Sequence, residues 1–450
     1  MVSILNNQLR ASVHTLGCRL NQSETFLLRD QLVARGYHIV PFGEPSDLAI
    51  INTCTVTRSA DAKCRAAIRG YIRKNPQAFV AVVGCYSQIG YKAISEVPGV
   101  DLIMGNREKF QVLDYASLGK NNRPVIIRDR LTKEDFSIDF VGDTPFNKRA
   151  NLKIQDGCSF ICSFCIIPKA RGPARSRDLE NLLDEARQLV DRGVRELVLT
   201  GVNIGTYQSC DGDLLTVLDL LNEIPGLDRI RISSIEPTTI PAELFPRMND
   251  PEHALLPFMH IPLQSGSNAV LKSMRRKYEL AEYLEFLYTA NEAVEDLCIG
   301  TDIMVGYPTE GEAEFKETCR TFLENPFSYC HVFTFSERET TPAARLKGND
   351  MPVKQLRSAK LRRLSEAKRY AHYESYVGKQ MTVLFEDPKD GRWPGYTDNY
   401  IRVVAKSDKN LQNQLAHVRM DRVVGDVVEG TVCTILADQK TANRSLMSLG

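Results

Sequence analysis

Cys158, Cys162 and Cys165 fall within the eight residues CSFICSFC, in a C-x3-C-x2-C spacing that follows the strand-like run NLKIQ. Three thiolates this close in sequence converge on something. A closed structural zinc site takes four protein ligands, whereas a cubane iron–sulfur cluster held by three cysteines keeps one iron open for a further ligand. A zinc knuckle, or three buried thiols packed as small apolar groups, are the competing readings, and the spacing ranks iron–sulfur ahead of both. The open iron is the chemical point.

A second set of cysteines is dispersed. From residue 11 to about 118, short apolar runs alternate with amphipathic helical ones, which argues for a doubly wound parallel sheet. Cys18 follows the first strand in TLGC, Cys54 another in IINTC and Cys85 a third in AVVGC. All three are thereby expected at the carboxyl ends of parallel strands, the edge where open α/β sheets gather their ligands. Unrelated core cysteines would fall within the apolar runs, not at their ends beside Gly, Asn or Thr. Three ligands again imply a cluster with an open iron. The other six, Cys64, Cys210, Cys298, Cys319, Cys330 and Cys433, lack ligand spacing and are expected as buried small residues.

The elements that must position these groups continue along the chain. Residues from about 119 to 147 read as a charged connection, after which a second α/β run extends from Asn151 to about residue 335 with six strand-like pieces. Six βα units are too few for a closed eight-stranded barrel, and active-site groups are expected on the loops after the strands. Those loops offer Asn203, Glu236, Gln264, Ser265 and Arg338, any of which could instead be a cap or turn residue. KARGPARSR, just past the triad, holds Lys169, Arg171, Arg175 and Arg177, either as a solvated loop or as charges beside an anionic site. A long helix from Val353 carries seven Lys or Arg against one acid between Lys354 and Arg369, including Arg362 and Arg363, and is the best candidate for tracking phosphates. From about Tyr376 short alternating runs suggest a small antiparallel barrel, where Tyr396, Tyr400 and Arg402 could stack on bases and touch phosphates.

The whole chain sets bounds. Its 450 residues, 43% hydrophobic and 25% charged, describe an ordinary globular protein of two to four domains. A net charge of +1 gives no global attraction to nucleic acid, so RNA affinity must come from local patches. MVSILNNQLR lacks a basic segment followed by a long apolar core, and no stretch is long and apolar enough for a membrane span. The expected location is the cytoplasm, where 12 cysteines point to metal or redox chemistry rather than disulfides.

CSFICSFC, with Phe164 between its second and third cysteines, resembles the signature of the radical S-adenosylmethionine enzymes. Together with TLGCRLNQSE, IINTCTVT, VVGCYSQ, CIIPKARGPARSR, LTGVNIGTY, SSIEP, HIPLQSGS, LKSMRRKY and GYTDNYIRV, it is similar to the methylthiotransferase family of those enzymes over nearly the whole chain. The resemblance implies three units: residues 1–140 with an auxiliary cluster on Cys18, Cys54 and Cys85; residues 144–375 as a partial, open radical barrel ending in the basic helix; and residues 376–441 as an RNA-recognising TRAM domain. It implies two 4Fe–4S clusters and two S-adenosylmethionine molecules, one methylating a sulfur held at the auxiliary cluster and one yielding a radical at the Cys158, Cys162 and Cys165 cluster. It also implies an electron-donor protein, a sulfur donor and tRNA as partners.

GCRLNQSE, INTCTVT and CIIPKARG are most similar to the branch that modifies C2 of N6-threonylcarbamoyladenosine at tRNA position 37. GYPTEGE, in place of the usual G-F-P-G-E-T, and Thr340, where glycine is common, depart from the family pattern. A substrate bearing a carboxylate calls for a cationic pocket, with Arg171, Arg175 and Arg338 as candidates. The alternatives are isopentenyladenosine-37, a ribosomal protein as substrate, or a non-enzymatic zinc-bearing RNA-binding protein.

Overall fold

The computed structural model of the chain describes residues 8–116, 119–139 and 149–436. The expected junction near residues 140–144 lies outside them. The first part contains β1 (Arg10–Thr15), α1 (Arg19–Ala34), β2 (His38–Ile39), β3 (Leu48–Thr53), α2 (Arg58–Lys74), β4 (Phe79–Gly84), α3 (Cys85–Ser95), β5 (Leu102–Met104), α4 (Val112–Tyr115) and β6 (Val125–Ile127). The six strands are all parallel in the order β2-β1-β3-β4-β5-β6, the doubly wound sheet the alternation implies. LAIINT of β3 and FVAVVG of β4 are buried at every position, as central strands covered on both faces must be. Ile51, Val82, Ile68 and Tyr71 fill one face, and Ile50, Val83, Leu28 and Leu32 the other.

The second part runs through β7 (Arg149–Lys153), β8 (Gln155–Asp156), α5 (Ile167–Arg171), β9 (Arg175–Ser176), α6 (Leu179–Asp191), β10 (Glu196–Thr200), α7 (Leu214–Asn222), β11 (Arg229–Ile232), α8 (Leu244–Asn249), β12 (Phe258–His260), α9 (Asn268–Ser273), α10 (Leu280–Ala293), β13 (Cys298–Val305), α11 (Glu312–Glu324), β14 (Tyr329–Thr334) and α12 (Met351–Glu374). Parallel ladders β7-β10-β11 and β12-β13-β14 are joined through the bridges Ile230–Leu255 and Ser234–His260. The six expected strands thus line up as an open parallel array. Its helices pack outside over Leu152, Leu197, Leu199, Ile232 and Ile303. The GYPTEGE departure is accommodated by Glu310, which accepts from the Gly306 amide at 2.8 Å and pairs with Arg357. Among the described residues no helix is long and apolar enough to cross a membrane.

The basic helix is less cationic at its surface than its sequence suggests. In α12, Lys354 is buried, Arg357 is buried against Glu310, and Lys368 donates to the carbonyls of Phe322 and Leu323. Lys360, Arg362 and Arg363 remain exposed.

β15 (Gln380–Phe385), β16 (Trp393–Thr397), β17 (Arg402–Ala405), β18 (Leu415–Val424) and β19 (Val427–Ile435) close a barrel in the order β15-β16-β17-β19-β18. It is not wholly antiparallel as expected, because β17 and β19 pair parallel in a Greek-key connection. The barrel docks on the first residues of β7, β10 and β11. Arg231 pairs with buried Glu196 at 2.8 Å and donates to the carbonyl of Asp398 at 2.9 Å, while Arg229 donates to the carbonyls of Tyr396 and Thr382. Tyr396 and Tyr400, expected as platforms for bases, stack on each other at 4.9 Å inside this junction, under Arg149 and Arg231 respectively. Arg402 is half-buried and pairs with Asp426 at 3.0 Å.

Removing Arg231 would leave Glu196 buried with only its weaker partners. Arg231→Ala is expected to destabilise the protein by about 3 kcal/mol, the lower end for breaking a buried pair, because Arg149 and Arg229 remain nearby. Chemical denaturation measures the loss, and limited proteolysis between α12 and β15 reports whether the barrel has loosened.

Candidate active site

The Cys158 triad lies in the connection between β8 and β9, which pair antiparallel and carry α5 between them. Gly157 enters the loop at φ +70°, where a Cβ would lie 2.0 Å from the Pro173 carbonyl oxygen, so only glycine fits. Ser163 fixes the far side of the loop: its amide donates to the Met274 carbonyl at 2.9 Å, and its hydroxyl meets the Ser273 carbonyl and Tyr307, each at 2.8 Å. Phe164 packs edge-on to Tyr307 at 6.5 Å.

Arg276 supplies charge to this loop. It donates to Cys162 Sγ at 3.4 Å, forms a two-pronged pair with Glu236 and is almost wholly buried. Burial pushes the thiols of all three cysteines up, Cys165 to about 12, while Arg276 pulls back at Cys158 and Cys162. A metal that binds here must therefore release protons. Asn203 Oδ1 accepts from the Glu236 amide at 3.2 Å and from Thr239 at 3.0 Å, yet its Nδ2 is buried without a partner. Three thiols, a neighbouring cation and a spare buried donor fit a cluster with a polar cofactor on its open iron.

The second triad gathers as the strand ends imply. β1, β3 and β4 are adjacent, and Cys18 precedes α1, Cys54 follows β3 and Cys85 opens α3. Gly17 turns at φ +115°, where a Cβ would lie 2.7 Å from that of Cys54, so the loop admits no side chain against this cysteine. Each of the three thiols lies within electrostatic reach of the others. Burial lifts Cys54 to about 12. Among the described residues no three Cys, His, Asp or Glu side chains are drawn together as ligands of one bare ion. Three sulfurs gathered on one rim of the sheet fit the same kind of cluster. Cys64, Cys298, Cys319 and Cys330 are buried as expected, but Cys210 and Cys433 are exposed.

Between the triads lies a buried ion network. Arg171 places both ends of its guanidinium on Glu24, at 2.9 and 3.0 Å, and also donates to Asp156 at 2.9 Å and Asn21 at 2.6 Å. Lys109 and Lys153 complete the contacts of Glu24 at 2.6 and 2.8 Å, and Lys153 and Arg175 those of Asp156 at 2.8 and 3.0 Å. Burial opposes the charge on Arg171, but Cys85, Glu24 and Asp156 outweigh it and hold its pKa well above the ordinary value. Asn106 adds a neutral tie, donating to the Ala170 carbonyl at 2.7 Å and lying 3.5 Å from Cys85 Sγ.

KARGPARSR is therefore no solvated loop: Arg171, Arg175 and Arg177 are buried, and Lys169 donates to the Thr340 carbonyl. Arg338 is likewise engaged, with Asp61 and Thr55, both at 2.7 Å. The three arginines expected to meet a substrate carboxylate already have partners. Of the loop candidates, Glu236 and Asn203 join the Cys158 triad. Ser265 directs its buried hydroxyl to Thr318 at 3.3 Å, and Gln264 extends the line of β12 at φ +68° with its amide on the Asp302 carbonyl. The sequence reading missed Arg276, although it lies in LKSMRRKY, and it missed His260, which faces the inside of the open array 2.8 Å from Asp302.

Residues 152–322 match the Radical SAM superfamily, and residues 10–105 match Uncharacterized protein family UPF0004. Over 97% of its length the chain is 38% identical to the threonylcarbamoyladenosine tRNA methylthiotransferase MtaB of Bacillus subtilis (strain 168), covering 99% of that protein. The chain belongs to the radical S-adenosylmethionine tRNA methylthiotransferases. As a member it is an enzyme, and its family implies an iron–sulfur cluster and S-adenosylmethionine. This methylthiotransferase is also 30% identical, over 93% of its length and 84% of the other, to the tRNA-2-methylthio-N(6)-dimethylallyladenosine synthase of Staphylococcus aureus (strain JH9). It shares its fold with the radical S-adenosylmethionine methyltransferase TsrM of Kitasatospora setae, solved with cobalamin and a 4Fe–4S cluster, at a TM-score of 0.53 and 13% identity over 75% of this chain and 74% of that one.

Arg276→Met removes the buried cation beside Cys162. Iron retained by a Cys18, Cys54 and Cys85 triple-Ala background, which isolates the radical site, is expected to fall about 10- to 100-fold in affinity, the usual cost of losing a group that supports metal ligands. Iron titration followed by visible absorbance measures it.

Proposed function

We propose that this enzyme methylthiolates C2 of N6-threonylcarbamoyladenosine at position 37 of tRNA, with a 4Fe–4S cluster on each cysteine triad and two S-adenosylmethionine molecules consumed per product. The observation that carries the reading is the pair of open triads, Cys158, Cys162 and Cys165 against Cys18, Cys54 and Cys85, held to one another through Arg171. Bound there, clusters and cofactor supply the radical chemistry and the methylated sulfur. The chain's share is to hold and to shield. Arg276 and Glu236 orient the Cys162 corner, Asn203 Nδ2 offers a buried donor to the cofactor, and Phe164 with Tyr307 closes the loop's apolar side.

In this reading residues 1–140 carry the auxiliary site, 144–375 the radical site and 376–441 an RNA-binding barrel, and an electron-donor protein and a sulfur donor serve the enzyme in the cytoplasm. The threonylcarbamoyl branch is supported by the 38% identity to the Bacillus subtilis enzyme, against 30% for the dimethylallyl one. Lys360, Arg362 and Arg363, exposed on α12, and Arg402 on the barrel offer cations to tRNA phosphates.

Two measurements test this. Anaerobic protein should hold ~8 iron atoms per chain, and Cys158, Cys162 and Cys165 replaced by Ala should halve that number and abolish cofactor cleavage. Expressed in cells stripped of their own methylthiolases, the enzyme should convert threonylcarbamoyladenosine, not isopentenyladenosine, to its methylthio form in digested tRNA. Methylthiolation of isopentenyladenosine alone would place the enzyme in the other branch.

Charge reversal at Arg362 and Arg363 should weaken tRNA binding and reduce the slope of log affinity against log salt by about one to two, since fewer counterions are released. An unchanged slope would mean that α12 is only a strut.

A further inference from the structure

A cavity of about 390 Å³ opens between α1, the first strands of the open array and the C-terminal barrel. Its polar wall includes Arg19, Gln22, Thr25 and Arg29 from one face of α1, with Arg149 and Asn151 of β7 opposite. The recurrence of 19, 22, 25 or 26 and 29 is the helical period, so α1 presents one continuous stripe to this space while Asn21, Glu24 and Leu28 face the buried network and core. The acid in the wall, Glu386, is taken by Arg149 at 2.9 Å.

Arg19 has no carboxylate partner among the described residues. Its guanidinium donates to the Tyr400 hydroxyl at 2.6 Å and lies 5.7 Å from that ring, and among the described residues no other hydrogen bond engages its N–H groups. Its charge is felt at Tyr329 and His331 across the array. Arg19 also follows the auxiliary ligand Cys18 directly, whereas Arg29 lies about 15 Å further along the helix at 1.5 Å per residue. Of the arginines on this stripe, Arg19 is thus the one whose backbone adjoins the auxiliary site.

We propose that this cavity takes the N6 substituent of the substrate base and that Arg19 pairs with its carboxylate. The inference rests on the threonylcarbamoyl reading above. The carboxylate of that substituent lies a few bonds from the adenine ring whose C2 reacts, and Arg19 is the lining residue nearest Cys18 along the chain. Gln22 and Thr25 on the α1 face and Asn151 opposite can serve the hydroxyl and urea groups. A fork-shaped guanidinium holds a carboxylate through two parallel hydrogen bonds, which an ammonium cannot reproduce.

The test compares anticodon stem-loops carrying threonylcarbamoyladenosine, its methyl ester, dimethylallyladenosine or plain adenosine at position 37, bound to the holoenzyme. The wild-type enzyme should prefer the acid over the ester by at least tenfold, and Arg19→Gln should bind the two alike, with Arg19→Lys intermediate. The cycle of enzyme and ligand changes separates this pair from general weakening. Equal wild-type affinity for acid and ester would overturn the inference without any variant, and so would an Arg19→Gln enzyme that still prefers the acid. Tighter wild-type binding of the dimethylallyl stem-loop than of the acid would instead sink the substrate reading, and this inference with it.

Discussion

Two carboxylates and four cations, all with little or no access to water, join the α1 side of the first sheet to the β8–β9 arm of the open array. Glu24 and Asp156 are shared among Lys109, Lys153, Arg171 and Arg175, so the cluster carries two more positive than negative charges in a dry space. Burying ions this way costs several kcal/mol apiece unless each is fully hydrogen-bonded, and an uncompensated excess is harder still to sustain. The excess faces Cys85 and Cys18, where a thiolate would offset it. Negative charge gathered at those sulfurs would balance the network.

The rest of the architecture follows from that junction. α5 spans only Ile167–Arg171, so Arg171 sits one short helix beyond Cys165 and its contacts locate the radical loop as well. Arg338 fastens the loop after β14 to Thr55, the residue after Cys54, giving the first sheet a second hold on the array. Farther down, Arg149, Arg229 and Arg231 gather around Glu196 and carry the C-terminal barrel. Arginine, with its planar donors, does the joining at all three places.

Much of this was legible in the sequence. Apolar runs announced both sheets, and a cysteine at a strand end is recognisable from its own neighbours, so the gathering of Cys18, Cys54 and Cys85 could be anticipated. Periodicity records which face of an element is apolar, but it does not say which charge finds which across the fold. Arg171 and Glu24 are 147 residues apart, and Arg276 and Glu236 are 40, so KARGPARSR could be read as solvated or as charges beside an anionic site without its partners being named, and Arg276 went unremarked. The same gap made α12 look more cationic than its surface is, since Lys354, Arg357 and Lys368 are spent on partners elsewhere in the array. Tyr396 and Tyr400 had the aromatic character of an RNA platform, and only the docked barrel reveals that they face Arg149 and Arg231.

Cys18 and Glu24 belong to the same run of backbone, one just ahead of α1 and the other in its second turn. A helix is a ruler with a fixed scale and a fixed screw. Each added residue advances the chain by about 1.5 Å and rotates it by about 100°. One residue inserted between Cys18 and Glu24 would therefore turn the acid away from Arg171 or carry the thiol out of its triad, with no loop to absorb the error. The spacing between those two positions is rigid in a way that the connection through residues 119–139, with its single three-residue strand, is not. A change of length can be absorbed in that connection, whereas in the first turns of α1 it would break the junction.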